Sequence, residues 1–158
     1  MVLWYVGLAA VSVWIVFRDP RIDYRFLAVG SLLPLLVDLP VGERAYGHSL
    51  LVAVGLLFLV VAVTAGRRPA RPRLLMLPIG MLLHVAFDGM WSHPETFWWP
   101  FLGGDARAGS LVPPFGTLVL REVVGLAALA WFTARFSLTK PGALARLWRT
   151  GRVEVSEA

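Results

Sequence analysis

Long apolar runs alternate with short polar stretches along most of this chain. The runs cover residues 2–17, 26–39, 48–65, 74–91 and 118–136, and basic or proline-containing stretches separate them. Residues 50–65 contain no charged side chain, which is atypical of a helix in a soluble core. A transmembrane helix needs about 20 mostly apolar residues. The pattern therefore predicts an all-α membrane protein with about five transmembrane helices.

The second run is short for a span and carries both Pro34 and Asp38. It predicts a short or broken helix, in which protein or water satisfies the backbone groups freed by the break.

The basic residues predict the orientation of the protein in the membrane. With the amino terminus outside and the loops alternating, only Arg44, Arg107 and Arg121 of the 15 basic residues fall outside. Because lysine and arginine concentrate in cytoplasmic loops, we expect a multi-pass, N-out/C-in protein of the cell (plasma or inner) membrane.

Composition narrows the class of partner. Hydrophobic residues make up 58% of the chain and the net charge is +5, whereas soluble domains are about 45–50% apolar. The basic residues lie in clusters between apolar runs, so we expect contacts with membrane lipids and no nucleic acid. There is no cysteine, which excludes disulfides and thiolate metal sites.

Residues 1–139 are expected to form one transmembrane domain, and residues 140–158 a basic and then acidic cytoplasmic tail.

Four polar residues are the candidate metal ligands, and the predicted topology puts all of them at the outer side of the membrane. They are Asp38, His48, His84 and Asp88. His84 and Asp88 are four residues apart, so on a helix they share one face. Two imidazoles and two carboxylates suit zinc, and also manganese or iron. The sequence therefore predicts a divalent metal, zinc first, at an extracytoplasmic site.

Two further residues, His93 and Glu95, follow in a loop rich in tryptophan and proline. Either can be a catalytic acid or base, a further ligand, a hydrogen-bond partner of a ligand, or an exposed loop residue. We predict catalysis for them and keep the other readings open.

Arginines indicate the class of substrate. Arg44 precedes the segment that carries His48, and Arg121 opens the fifth run on the same predicted side of the membrane. The guanidinium group binds phosphate oxygens in pairs. They predict a phosphoester or lipid-linked phosphate substrate. The alternative is simple pairing with the adjacent acids Glu43 and Glu122.

Several short motifs occur in a recognisable order. They are Gly30-Ser31-Leu32-Leu33-Pro34 followed by Asp38, then Arg44, Gly47-His48-Ser49-Leu50-Leu51, His84-x-x-x-Asp88-Gly89 and Trp99-Pro100-Phe101. The set resembles the membrane-bound metal-dependent hydrolases of the YdjM type over about residues 30–101. The resemblance implies hydrolytic chemistry of the phospholipase C or nuclease kind. Two features depart from the family pattern: Leu35 replaces its first aspartate, and there is no N-terminal histidine.

The leading hypothesis is an outward-facing, metal-dependent hydrolase of phosphoesters. A non-catalytic, metal-stabilised membrane scaffold or binding protein is the alternative, and the missing aspartate at Leu35 favours it. A small transporter is a third hypothesis, with Asp38 as a relay residue. The almost wholly apolar segments 58–63 and 74–82 count against a polar path through the membrane.

Overall fold

The computed structural model describes residues 1–67 and 70–154, and within them the chain is helical apart from loops and one isolated bridge between Glu43 and Ser110. The α-helices are α1 Val2–Phe17, α2 Tyr24–Asp38, α3 Leu50–Val63, α4 Arg71–Leu74, α5 Met76–Phe87, α6 Pro94–Phe97, α7 Phe115–Arg135 and α8 Ala143–Thr150. Short 3-10 turns cover Tyr46–His48 and Met90–Ser92. Arg68 of the basic loop and Glu157 of the predicted acidic tail lie outside the described residues.

The prediction of five transmembrane helices is wrong. Among the described helices only α7 is long and apolar enough to cross a bilayer, and α1 and α3 are shorter apolar helices. The 21 residues of α7 span about 32 Å at 1.5 Å per residue, against a hydrocarbon core of about 30 Å. The 14 residues of α3 reach only about 21 Å. The predicted N-out/C-in orientation loses its basis, because it counted loops between five spans.

The apolar runs predicted helices that are too long, because several residues of these runs are not helical. The third run begins at His48, but residues 46–48 form a 3-10 turn and Ser49 caps α3 by accepting a hydrogen bond from Val52 N–H (3.3 Å). The fourth run is interrupted at Leu75, between α4 and α5. The second run forms a more regular helix than predicted. Helix α2 is continuous through Pro34, so the predicted break in it is absent.

Two glycines set the distance between α2 and α5. A methyl group on Gly80 would lie 2.5 Å from the carbonyl oxygen of Leu27, and one on Gly30 would meet the backbone of Leu77. Such distances mean that the two backbones touch, which small residues allow at helix interfaces in membrane proteins. His84, one turn after Gly80, is thereby brought against the backbone of Ser31.

A second pair of glycines joins α1 to α7. A methyl group on Gly7 would lie 2.5 Å from the carbonyl oxygen of Gly125, and one on Gly125 would meet the backbone of α1 at Leu3. This contact places Tyr5 of α1 and Arg121 of α7 at the same end of the molecule, where both reach Asp88.

The opposite end of the helices is closed by the carboxy-terminal segment. The carbonyl of Gly151 accepts a hydrogen bond from Tyr24 N–H (2.8 Å), and Arg25 Nη1 donates to the carbonyls of Trp148 and Arg149 (3.0 Å each). Around this contact, Trp14, Tyr24, Phe132 and Phe136 form part of the buried core. The segment therefore packs on the protein through α8 and the residues after it.

Candidate functional site

His48 is held by the carboxylate of Asp38, and both side chains are about 1% exposed. The imidazole Nδ1 lies 2.6 Å from Asp38 Oδ2, which also accepts a hydrogen bond from Ala45 N–H (2.7 Å). The other oxygen of Asp38 accepts from Gly47 N–H (2.8 Å). A carboxylate that accepts three hydrogen bonds is ionised and cannot donate, so Nδ1 of His48 carries the proton.

His84 is oriented in the same way by a different acceptor. Its Nδ1 lies 2.6 Å from the carbonyl oxygen of Ser31, and both residues are fully buried. A carbonyl oxygen can only accept, so Nδ1 of His84 also carries the proton. One face of the ring stacks on Tyr5, with the ring centroids 3.6 Å apart and an interplanar angle of 20°.

The two imidazoles consequently point their remaining nitrogens at each other. Nε2 of His48 and Nε2 of His84 are 3.2 Å apart. With both Nδ1 atoms protonated, two neutral rings would face one another lone pair to lone pair, which is repulsive. A proton shared between the two Nε2 atoms relieves this, and so does a metal cation between them. Two ligands of one tetrahedral zinc are about 3.3 Å apart when each Zn–N bond is about 2.0–2.1 Å.

Asp88 completes the cluster on the side of the arginines. Its Oδ1 accepts hydrogen bonds from the Tyr5 hydroxyl and from Arg121 Nη1, each 2.7 Å long. Its Oδ2 lies 2.8 Å from Arg44 Nε and 4.0 Å from His48 Nε2. The Arg44 contact is an ion pair without hydrogen-bond alignment, so Oδ2 is buried with no hydrogen bond to the described residues.

Arg44 is positioned through its backbone by the long loop before α7. Its N–H donates to the carbonyl of Gly109 (2.9 Å), and its carbonyl accepts from Ala108 N–H (2.9 Å). The two guanidinium groups contact Asp88 through Nε of Arg44 and Nη1 of Arg121. The other guanidinium nitrogens of both residues form no hydrogen bond within the described chain. The pairs with Glu43 and Glu122 that the sequence left open are not formed among these residues.

Within residues 1–67 and 70–154, no group of three or more His, Asp or Glu side chains stands ready to enclose a metal ion. The structure brings together the Nε2 atoms of His48 and His84, with Asp88 Oδ2 the next nearest donor. Both oxygens of Asp38 are used by His48 and the backbone. The donor set fits a dication in its chemistry, with two imidazole nitrogens that face each other and one carboxylate oxygen that accepts no hydrogen bond from a described residue.

His93 and Glu95 lie outside this cluster. Both are exposed, at the start of α6, and neither side chain forms a hydrogen bond or ion pair with another described residue. Their catalytic role stays a prediction.

Two contributors could not be found from the sequence. Tyr5 lies in an apolar run 83 residues from Asp88, and no spacing connects the two. Ser31 acts through its backbone carbonyl, which any residue type would supply. The one available signal was the glycine before Ser31, which marks a close helix contact.

The model of a protein family described as the YdjM inner membrane protein matches residues 4–148, nearly the whole chain. The chain belongs to the YdjM inner membrane protein family. Membership makes it an inner membrane protein, so the predicted membrane location is confirmed. No curated protein and no solved structure matches the chain significantly.

The YdjM match extends well beyond the motifs at residues 30–101 and includes α1 and α7. These two helices supply Tyr5 and Arg121, the partners of Asp88. The match itself specifies no metal and no reaction.

Proposed function

We propose that this YdjM-family protein is a metal-dependent hydrolase that acts on a phosphoester or a lipid-linked phosphate. The observation that carries the proposal is the pair of Nε2 atoms 3.2 Å apart on His48 and His84, whose Nδ1 protons are committed to Asp38 and Ser31. A divalent cation, zinc first and manganese or iron next, accounts for that arrangement.

In this proposal His48 and His84 hold the cation, with Asp88 Oδ2 as a third donor. Asp38, predicted as a fourth ligand, acts here by keeping the His48 ring in one tautomer and orientation. A bound dication supplies Lewis-acid activation of water and of the phosphoryl oxygen.

In this proposal the arginines bind the substrate. Arg44 and Arg121 each use one nitrogen on Asp88, and their other N–H groups supply paired donors for phosphate oxygens. Water attacks phosphorus and gives up one proton, the P–O bond to the leaving alcohol breaks, and the leaving oxygen takes up one proton. His93 or Glu95, exposed on the segment after Asp88, exchanges the protons with solvent.

Hydrolysis is tested on the full-length protein purified in neutral detergent. After equilibration with zinc or manganese and removal of the excess, we expect about one ion per chain. We also expect cleavage of a chromogenic phosphodiester that stops with chelator and returns when metal is restored. Absence of both a bound metal and cleavage contradicts the proposal.

The non-catalytic scaffold is the second candidate, and one observation favours it. Asp88 is already engaged by Arg44, Arg121 and Tyr5, which leaves the arginines partly neutralised. For a scaffold, chelation lowers the melting temperature while a panel of phosphomonoesters, phosphodiesters and lipid pyrophosphates stays intact. Metal-dependent cleavage of any of them removes this alternative.

We also propose that the site lies on the extracytoplasmic side. Arg121, near the start of α7, contacts the site, whereas the far end of α7 leads to the arginines of α8 and the chain after it. Basic residues concentrate on the cytoplasmic side of a span.

Since the chain has no cysteine, single cysteines report the side directly. We expect exposed Ser92→Cys to react with a membrane-impermeant maleimide in intact spheroplasts. Arg149→Cys on α8 is the matched control and is expected to react only after permeabilisation. The reverse pattern contradicts this placement.

A further inference from the structure

A cavity of about 640 Å³ opens at the end of the helices opposite the histidine cluster. The end of α1, the segment 19–22, α4 and the start of α5 line it, together with Arg152 from the carboxy-terminal segment. The site described above uses the other ends of α1, α2 and α5, so this cavity is separate from it. The proposed hydrolysis uses none of its lining residues.

Four arginines and one acid line this cavity. Arg21 is paired with Asp19 through two contacts of 3.1 Å, from Nε and Nη2. Hydrogen bonds from the Arg21 side chain and backbone hold the pKa of Asp19 below its usual range, so this acid is ionised and offsets one positive charge. The other three arginines, at positions 71, 73 and 152, leave an excess of positive charge in the cavity.

These three arginines have no acidic partner among the described residues. Arg71 donates only to neutral oxygens, Thr64 Oγ1 at 3.3 Å and the carbonyl of Val61 at 3.4 Å. The guanidinium groups of Arg73 and Arg152 form no hydrogen bond or ion pair with a described residue. Their donors are therefore available to an anion, and paired guanidinium donors match phosphate oxygens.

The rest of the lining is apolar. Ile22, Leu75 and Ile79 contribute side chains to the cavity wall. Phe17, at its edge, is 54% exposed, and the adjacent Val16 is 72% exposed. A small hydrophilic anion gains nothing from such a surface, whereas an amphiphile places its chains on it. The cavity thus combines donors for a phosphate with an apolar surface leading away from them.

The neighbouring helix α8 has the character of a segment at the membrane interface. Its Trp148 and Leu144 are 69% and 52% exposed, and Arg146 and Arg149 lie on the same short helix. Indole rings and basic side chains concentrate at the headgroup level of a bilayer. The cavity therefore lies where lipid headgroups are present at high local concentration.

We propose that this cavity binds the headgroup phosphate of an anionic glycerophospholipid, with the acyl chains lying against the exposed last turn of α1. Arg73 and Arg152 contact the phosphate, and Arg71 adds to the positive field. Basic pockets between helices at the membrane surface bind anionic headgroups by this combination of charge and apolar contact. The inference does not depend on the hydrolase proposal, because it uses none of the residues of that site.

Native mass spectrometry of the full-length protein in neutral detergent tests the proposal. Phosphatidylglycerol and phosphatidylcholine with the same acyl chains are titrated side by side. We expect wild type to bind phosphatidylglycerol about tenfold (about 1.4 kcal/mol) more tightly, because both lipids carry a phosphate but choline adds a positive charge that the arginines repel. The Arg73→Gln/Arg152→Gln variant is expected to lose this preference.

The matched control is Arg107→Gln/Arg149→Gln, which removes the same charge outside the cavity and is expected to keep the preference. Equal binding of the two lipids by wild type, or equal loss in both double variants, overturns the proposal. So does competition by glycerophosphoglycerol or inorganic phosphate at the lipid's own concentration, because the ligand is then a free phosphate. If the double variant does not fold, the single variants Arg73→Gln and Arg152→Gln replace it, and an unchanged preference in both of them overturns the proposal.

Discussion

The His84→Ala variant is expected to bind no stoichiometric divalent metal and to have no metal-dependent hydrolysis above background. The substitution removes one of two nitrogens that face each other across 3.2 Å, and the remaining candidate oxygen, Oδ2 of Asp88, lies 4.0 Å from His48 Nε2. A site left with one imidazole and one carboxylate binds zinc far more weakly than the three ligands of catalytic sites. Metal content after gel filtration measures the loss.

His93→Ala is the control of matched residue type for this metal measurement. His93 is exposed and forms no contact with the cluster through a hydrogen bond or ion pair, so its loss is expected to leave the metal content unchanged. Stoichiometric metal in His84→Ala would contradict the assignment, and so would loss of metal in His93→Ala alone.

Asp38→Asn in the same assay separates ligation from orientation. An amide cannot accept hydrogen bonds on both sides, so either Gly47 N–H or the pair formed by Ala45 N–H and His48 Nδ1–H would face an NH₂ group. Loss of such an orienting partner weakens metal binding by about 10- to 100-fold. Complete loss, as in His84→Ala, would instead make Asp38 a direct ligand, as the sequence predicts.

Gly80→Ala is expected to destabilise the fold strongly, lowering the melting temperature in detergent by about 5–10 °C. The added methyl group would lie 2.5 Å from Leu27 O and 2.6 Å from Ser31 N, so α2 and α5 must move apart. Overpacking of this kind costs about 1–3 kcal/mol, and each kcal/mol is about 2–4 °C for a chain of this size. Metal affinity should fall as well, because the same shift draws Ser31 O away from His84.

Gly55→Ala supplies the matched control, since Gly55 lies inside α3 and nothing is within 4 Å of an added methyl group. Alanine in an open helical position is expected to leave stability unchanged or to raise it by about 0.5–1 kcal/mol. Equal melting temperatures for the two alanine variants would mean that α2 and α5 do not touch at Gly80.

The order of motifs along the chain indicated the family, and the apolar runs indicated the membrane. The motifs contain glycine, proline, histidine and aspartate in a fixed order, and the family match confirms the family and the membrane location. Apolar runs were a poorer guide to the helices. They do not distinguish a helical residue from a 3-10 turn or a cap, which is why His48 and Leu75 appeared to belong to longer spans.

The sequence likewise indicates only part of the candidate site. Sequence spacing indicates that His84 and Asp88 share one helix face, because this follows from helix geometry alone. It does not indicate the roles of Asp38 and Tyr5. Asp38 is directed at His48 by a turn whose backbone N–H groups fill its oxygens, and Tyr5 arrives from a helix held in place by Gly7 and Gly125.

By itself, the sequence determined that the protein is helical and that it lies in a membrane. It also determined which polar residues are available for a site. These properties depend on composition and on local periodicity, which do not require knowledge of the fold. Only the tertiary structure decided how long each helix is and which nitrogens face one another. Those outcomes depend on backbone contacts at Gly30 and Gly80 and on acceptors such as Ser31 O, distant in sequence from the groups they orient.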